Sequence, residues 1–285
     1  MKIKTALVLL VISLFAIWCG TAFGQDYKLS EIIIPPISPD NPEYETQVNE
    51  NLDTAVDPLL DFLGFYTGGG LYHTAKTHGL GGFDVGLRVV TMMVSDDQKP
   101  ILPNADPNIP GAYGGLFKDF NLYALPLLQV SIGLPGNLDA MARFFSAEVG
   151  GGDAKGRYTL IGLGAKYGLI QNIALPRVSL IGMYHYLDTD ANFDFGKVHS
   201  INAAAIISKG ILFFDIYGGL GFDYNTIEVN LELPGLGPVV KKYNKSNFRG
   251  DVGVKIKPIP LLFIHVDYSF GKVQGFNVGL GLNFL

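Results

Sequence analysis

The sequence predicts an all-β fold, a transmembrane antiparallel β-barrel of about ten to twelve strands, preceded by an N-terminal helical segment. In residues 274–285 every large apolar side chain alternates with Gly or Asn, so one face of a strand is apolar and the other is small or polar. Similar alternation recurs along the chain, and the connections between alternating segments are short and long in turn. A membrane barrel needs both features, whereas a soluble sandwich has no reason to sort its loops by parity.

Residues 1–24 have the pattern of a secretory signal peptide. A lysine-containing start precedes an apolar run from Ala6 to Trp18, and a small-x-small triplet ends at Gly24. The run is too short for a spanning helix, and the bulky residue before Cys19 disfavours lipidation. Cleavage after Gly24 removes the only cysteine, which leaves no disulfide and no thiolate metal site.

The composition excludes nucleic acid as a partner and favours a membrane. The net charge is −5, and the mean hydropathy is +0.27 with 36 glycines. Beyond the leader no apolar run is long enough for a spanning helix. We therefore expect a protein of the cell outer membrane, surrounded by outer-membrane lipid; a secreted all-β domain is the alternative.

The segment 25–63 differs from the rest of the chain. A Pro-dense stretch precedes apolar residues at near-helical spacing, which predicts a helix that starts near Pro42 or Glu43 and either tolerates Pro58 or kinks there. This helix could cap the periplasmic mouth, enter the lumen as a plug or lie against the membrane surface; we favour a periplasmic lead-in. Residues 64–80 are Gly-rich, and we expect a loop or a short inward-packed segment that joins the helix to the first strand. The barrel domain, including this segment, is expected to span 64–285.

Ten alternating segments predict ten strands, with twelve if 64–77 and part of the loop 95–121 also pair. The last strand is expected to pair with 82–94 and close the barrel. The alternation at 211–224 continues to Leu233, which predicts a hairpin ending near Val240 inside the outer connection 225–246. The remaining strands are expected at 122–134, 138–150, 161–169, 177–187, 199–207, 247–256 and 262–270.

Charged and polar side chains share the face opposite to the apolar one. We predict that they line the lumen, because unpaired charges facing lipid are costly. They form either a polar path or, as we favour, ion pairs that hold a narrow barrel shut. The inward glycines favour some free lumen or space for a plug. The lumen-lining candidates are Asp84, Arg88, Lys166, Asp215, Asp223, Arg249, Asp251, Lys255, His265 and Asp267.

No catalytic or metal site is predicted. His265, Asp267 and Ser269 share one strand face, and Ser179 and His185 share another, but alternation alone produces such sets. The chain has no nucleophile-elbow motif, and its histidines lack metal-ligand spacing. We therefore expect no enzyme activity, no metal and no cofactor.

Three motifs carry a resemblance to a known family. They are GLYHTAKTHGLGGFDVGLRVV at 70–90, GLPGNLDAMARFF at 133–145 and GLGAKYGLIQ at 162–171. With them the chain resembles an uncharacterised family of Gram-negative outer-membrane barrels, which implies location and architecture but no activity. The helix ahead of a barrel is also similar, at fold level, to fatty-acid and hydrocarbon channels with an N-terminal plug.

The final strand resembles the signal that the barrel-assembly machinery reads, although Phe284 is penultimate rather than last. This machinery and the secretion translocon are the partners expected during biogenesis, and no oligomeric state is predicted. The assembly-signal residues are Phe276, Val278, Leu280, Leu282 and Phe284.

Three functional hypotheses remain at this point. The first is a passive channel or transporter for small, including apolar, molecules that is gated by the N-terminal segment. The second is a closed structural or surface-binding barrel that acts through its outer loops, in particular through Lys241, Lys242 and Lys245. The third and least favoured is a lipid-modifying enzyme.

Overall fold

A computed structural model describes residues 29–106, 108, 121–149, 156–189 and 195–284. The expected signal peptide lies outside the described residues, as does most of the segment 107–120. Within them the chain forms two α-helices, ten strands and one short 3-10 turn at 96–98. The elements are α1 Leu29–Ile32, α2 Tyr44–Gly68, β1 Phe83–Met93, β2 Leu122–Leu134, β3 Leu138–Val149, β4 Gly156–Ile170, β5 Arg177–Thr189, β6 Phe195–Ile211, β7 Phe214–Leu233, β8 Gly237–Ile259, β9 Leu262–Gly271 and β10 Gln274–Phe284.

The ten strands of the described residues form one closed antiparallel barrel. Each strand pairs with its neighbour in sequence, and β10 pairs with β1 to complete the ring, with Phe284 opposite Phe83 and Val278 opposite Val89. The predicted ten strands and the predicted closing pair are confirmed. Twelve strands are not found in the described residues, because 44–68 is helical and no further strand follows it before β1.

The two ends of the barrel differ in their connections. At one end, here called the turn end, strands are joined by the short segments 135–137, 171–176, 212–213 and 260–261. At the other, the loop end, the segment 94–121 joins β1 to β2, and the longest strands, β7 and β8, project from the barrel. Short connections at one end and mostly longer structures at the other match the predicted parity.

The outer wall of the barrel is apolar. Large side chains stand on it without protein cover, for example Leu163 at 64%, Leu220 at 74% and Phe248 at 79% exposed. Aromatic rings also stack across the closing seam, where Phe83 and Phe284 lie 4.6 Å apart between ring centroids. A continuous apolar outer surface of this extent is stable only when something other than water covers it.

The hairpin of β7 and β8 reverses this pattern where it leaves the barrel. Up to Tyr224 the apolar residues of β7 face outward, whereas Ile227, Val229 and Leu231 are buried on the inner face, and the outward Asn230 is exposed. The prediction that this alternation continues unbroken to Leu233 is wrong, because the apolar set moves from even to odd positions after Tyr224. The predicted connection 225–246 is also corrected: it is mostly strand, with a turn at 234–236.

Helix α2 lies inside the barrel and enters it from the loop end. Its first turns, with Tyr44 and Val48, pack against Val229 on the inner face of the β7–β8 hairpin. Its last turns place Phe65 in a second apolar cluster with Val90 of β1. The periplasmic lead-in favoured from the sequence is therefore not observed, and the lumen position is. No helix of the described residues is long and apolar enough to cross a membrane.

The segment 69–82 continues from α2 to the turn end, where β1 begins. Leu71, Tyr72 and Ala75 are buried against side chains of β3, β5, β6 and β7. Small residues on the wall make this possible: a Cβ on Gly275 would lie 2.7 Å from Cζ of Phe65, and a Cβ on Gly219 would collide with the Tyr72 hydroxyl. We call residues 44–82 the plug. The glycines of the inner face thus hold space for the plug.

Candidate functional site: the plugged lumen

The loop-end part of the plug carries an acidic stripe that faces a basic strand. Asp53, Asp57 and Asp61 follow one another at intervals of four residues, so they share one face of α2. The Lys245 ammonium lies 2.7 Å from Oδ1 of Asp57 and 3.0 Å from Oδ2 of Asp61. Asp53 accepts hydrogen bonds from Lys241 and from the Tyr243 hydroxyl. Helix spacing and strand alternation therefore bring three carboxylates of α2 against two ammonium groups of β8.

These contacts shift the ionisation of the groups that lie beyond the apolar wall. Burial alone would raise the pKa of the Asp53 carboxyl, but hydrogen bonds from Lys241 and Tyr243 hold it below its usual value. Burial would lower the pKa of the Lys245 ammonium, but its hydrogen bonds to Asp57 and Asp61 outweigh the effect of burial and raise that pKa. Both shifts favour the charged forms at neutral pH.

The lysines proposed to act in an outer loop do not form one surface. Lys241 and Lys245 lie on the inner face of β8 and bind the plug, whereas Lys242 is exposed. The prediction that the three act together assumed that 225–246 is a loop. In a strand, side chains at 241 and 245 share a face that 242 does not.

Below the acidic stripe a buried charged cluster joins strands β7, β8 and β9. Nη1 of Arg249 lies 2.6 Å from Oδ2 of Asp223, and its Nε lies 3.1 Å from Oδ1 of Asp251. The hydroxyl of Tyr72 from the plug donates to Asp251 at 2.7 Å. Ser269 also donates to Asp251. The single guanidinium thus compensates two carboxylates, and the plug contributes a further donor.

Arg143 of β3 holds the turn where α2 ends. Its Nη1 donates to the carbonyl oxygens of Thr67 and Gly69 at 2.9 Å and 3.1 Å, and its Nε donates to Gln129 at 2.7 Å. The last carbonyls of a helix have no partner within the helix. Arg143, which is fully buried, supplies a hydrogen-bond donor for these carbonyls from the barrel wall.

Near the turn end the plug is bound by a second charged cluster. His78 lies between two carboxylates, with Nδ1 3.0 Å from Asp139 and Nε2 3.3 Å from Asp84. Lys166 lies 2.9 Å from Asp139 and donates to the carbonyl oxygen of Lys76 at 2.8 Å. The barrel wall therefore binds both the His78 side chain and the backbone of this part of the plug.

The residues that could suggest catalysis are engaged with one another and with the plug. His265 Nδ1 lies 3.3 Å from Asp267, whose other partners include the Tyr217 hydroxyl at 2.8 Å. Ser269 donates to Asp251 rather than to His265. The ring of His265 also stacks on His73 at 5.4 Å between centroids. No serine–histidine hydrogen bond is found here among the described residues.

The structure places all ten lumen-lining candidates in the interior, each with at most 6% of its surface exposed. Ion pairs connect Arg249 to Asp223 and to Asp251, and His265 contacts Asp267. Arg88 lies 3.6 Å from Asp84. Lys166 pairs instead with Asp139, which the sequence analysis did not select. No group of three or more metal-ligating side chains occurs in the described part of the chain.

Several functional residues were missed because strand β3 was not assigned a face. Asp139 and Arg143 alternate with Ala140 and Ala142, so the inward face was visible in the sequence as two charges separated by four residues. The plug residues Tyr72 and His78 gave no such signal. Their roles depend on the path of a Gly-rich segment that has no periodicity.

The interface between plug and wall is not saturated with hydrogen bonds. Among the described residues, buried polar atoms without a hydrogen-bond partner include Nη2 of Arg143, Nε2 of His185, both side-chain polar atoms of Asn225 and Oδ1 of Asn277.

Comparison with known proteins gives similarities of fold. The Yersinia pestis protein Ail is 12% identical, with 72% of this chain and 98% of that chain covered and a TM-score of 0.30. The N-terminal β-barrel domain of Pseudomonas aeruginosa OprF is 17% identical, with 52% and 98% covered and a TM-score of 0.31. The Pseudomonas putida toluene transporter TodX is 10% identical, with 92% and 78% covered and a TM-score of 0.29. Similarities this low carry no argument about the function of this chain.

No curated protein matches the chain. A family model matches residues 103–284, which include strands β2 to β10 and two of the three motifs that carried the resemblance. The resemblance to an uncharacterised family is confirmed by this match. The chain belongs to DUF6588, a family of unknown function.

Proposed function

We propose that the protein is an outer-membrane barrel that passes small polar molecules and is gated by its own plug. Its apolar outer wall supports a location in a membrane, since lipid is the solvent that such a surface requires. Its expected signal peptide and final strand support export to the outer membrane. In this proposal no residue is catalytic.

The proposal depends on the hydrogen bonds between the barrel wall and the backbone of segment 69–82. Wall side chains donate to backbone carbonyls of residues 67–76, from Arg143, Gln129, Ser179, Gln171 and Lys166. Water can replace such donors, so movement of this segment uncovers only the smaller apolar cluster that Leu71, Tyr72 and Ala75 form with the wall. The first turns of α2 belong to the larger apolar cluster, which they form with the β7–β8 hairpin. The segment 69–82 is therefore the movable part, and the loop-end turns of α2 are its anchor.

The lining of the lumen selects the class of solute. Arg88, Arg143 and Arg249 face the interior along with several carboxylates, and the described polar wall extends from the middle of the barrel to the turn end. An apolar molecule would desolvate these charges without compensating them. Small polar solutes of either charge are therefore favoured over the apolar molecules considered from the sequence.

A reversible tether between plug and wall tests the proposal. A Cβ on Gly70 would lie 3.4 Å from Cβ of Asn277 on β10, close to the separation of a disulfide. The variant Gly70→Cys/Asn277→Cys is reconstituted in planar bilayers, oxidised and then reduced. Because the loss of Asn277 and the strain of a side chain at Gly70 are common to both states, only the tether differs. We expect conductance to rise at least tenfold on reduction.

The single variant Asn277→Cys, treated in the same way, is the matched control and should not respond to reductant. Equal conductance of the oxidised and reduced double variant would contradict gating by the plug. Absence of conductance in every form, with the barrel shown to be folded by its heat-dependent gel mobility, would contradict passage altogether.

A second candidate function is surface binding by a closed barrel. One observation favours it: the β7–β8 hairpin carries α1 and the segment 33–43 at the loop end, where Pro39 lies against Gly235 in the hairpin turn. A ligand-binding assay with a hairpin shortened by residues 230–240 distinguishes the two functions. Binding that survives this deletion would count against the second candidate.

A further inference from the structure

A small cavity opens between the plug and the barrel wall at the turn end. Its volume is about 90 Å³, and its lining includes Lys76 of the plug, Lys255 and Lys257 of β8, Asp215 of β7 and Phe263 of β9. The loop-end interface is lined by paired charges, whereas here three ammonium groups accompany one carboxylate. The cavity therefore has an excess of positive charge.

The three ammonium groups differ from the other lysines of the interior. Lys166 and Lys245 each have a carboxylate within 3.0 Å. Within the part of the chain that the structure describes, no carboxylate lies within 4.0 Å of the side chains of Lys76, Lys255 or Lys257, and none of these side chains donates a hydrogen bond. An interior lysine without a partner is costly unless an anion compensates it.

Lys255 is the deepest of the three, with 2% of its surface exposed. It stands directly opposite Asp215 in the pairing of β7 and β8, yet the two form no ion pair. Its ammonium lies 4.5 Å from the centroid of the Phe263 ring, at the wall of the cavity. His78, which also lines the cavity, is already engaged by Asp84 and Asp139.

We propose that this cavity binds a phosphate group, either free phosphate or the phosphate of a lipid headgroup. Lysine ammonium groups bind phosphate as point charges and need no planar geometry. Because Lys76 belongs to the plug and Lys255 and Lys257 to the wall, the bound group connects the two. Binding does not depend on the passage of any solute, so it can be tested apart from the proposed function.

The test titrates inorganic phosphate into the purified full chain in a phosphate-free, uncharged detergent, followed by calorimetry. The variants are Lys255→Met, Lys76→Gln and, as a matched control, the exposed Lys242→Met on the same strand. A second arm measures by native mass spectrometry whether phosphatidylglycerol remains bound to each variant. Lys76 is half-buried at the cavity mouth, so its substitution tests the site even if Lys255→Met fails to fold.

We expect at least tenfold weaker binding in Lys255→Met and Lys76→Gln and an unchanged value in Lys242→Met. If the two substitutions weaken the binding of inorganic phosphate, the ligand of the cavity is the free anion. If they reduce only the amount of bound phosphatidylglycerol, the ligand is the lipid headgroup. The proposal is overturned if the chain binds neither, or if Lys242→Met weakens binding as much as the two cavity variants do.

Discussion

The ammonium of Lys245 lies 3.0 Å from Oδ2 of Asp61, although 184 residues separate the two in sequence. This contact joins the projecting hairpin to the plug. We predict that Lys245→Met weakens the closed state by about 1 kcal/mol, since the pair is partly screened and Asp61 retains Asn247 as a donor. Hydrogen exchange of residues 57–68 should then become roughly fivefold faster.

Lys242→Met is the control for this prediction, because Lys242 lies on the outer face of the same strand. It should leave the exchange of residues 57–68 unchanged. Equal effects of the two substitutions would show that the charge of the hairpin, rather than the contact with Asp61, sets the stability of the plug.

Acid should loosen the loop-end turns of the plug through Asp53. The pKa of its carboxyl is lowered in the folded protein, so its contribution is present above the unfolded value of about 3.9 and is lost as the pH falls through the lower folded value. We expect the exchange of residues 48–56, corrected for intrinsic rates, to accelerate below about pH 4. In Asp53→Asn this acid dependence should be smaller, and an identical pH profile would contradict the role of Asp53.

Arg143→Met should destabilise the whole barrel. The substitution leaves the carbonyl oxygens of Thr67 and Gly69 without the donor that the wall supplies. We expect a loss of about 2–5 kcal/mol, because each orphaned carbonyl costs about 1–3 kcal/mol. The measurement is the urea midpoint of unfolding from vesicles.

The comparison is Arg157→Met, which removes an exposed ion pair with Glu148 and should cost under about 1 kcal/mol. If both arginine variants unfold at the same midpoint, the carbonyl contacts of Arg143 do not stabilise the fold.

Substitution by valine should affect barrel closure differently at two glycines on adjacent strands. A Cβ on Gly164 would collide with the carbonyl oxygen of Gly182 on the adjacent strand, whereas a Cβ on Gly182 has no atom within 4 Å. Backbone cannot yield as a flexible side chain does, so Gly164→Val should prevent closure of the barrel. Gly182→Val should insert normally. Heat-dependent gel mobility of the two variants distinguishes these outcomes.

The architecture was largely predictable, because a strand that separates lipid from a lumen must alternate, and period two is visible without any knowledge of partners. The position of the plug was not. Helical spacing shows which face of α2 is apolar but not what that face contacts, and both a membrane surface and a lumen would accept it. The inward phase of Ile227 and Val229 was the available clue, since it indicates something apolar within the hairpin.

The path of the plug predicts that the segment before α2 faces the loop-end side. An epitope inserted before Leu29 should bind antibody on intact cells. An epitope replacing Ile173, 82% exposed in a connection at the turn end, should bind only after the outer membrane is opened. Protection of the first epitope, or exposure of the second, would contradict the orientation.

The entry of α2 from the loop end also constrains assembly. In the described residues the chain runs through the barrel eleven times, once as the plug and ten times as strands. The plug comes first in sequence and is enclosed by strands that follow it, and the ring is completed only when β10 meets β1. Once that seam has closed, the folded N-terminal segment cannot be threaded from the turn end without dismantling its contacts. We therefore expect the segment to lie within the unfinished sheet while the seam is open, which would couple translocation of the N-terminal segment to closure of the barrel.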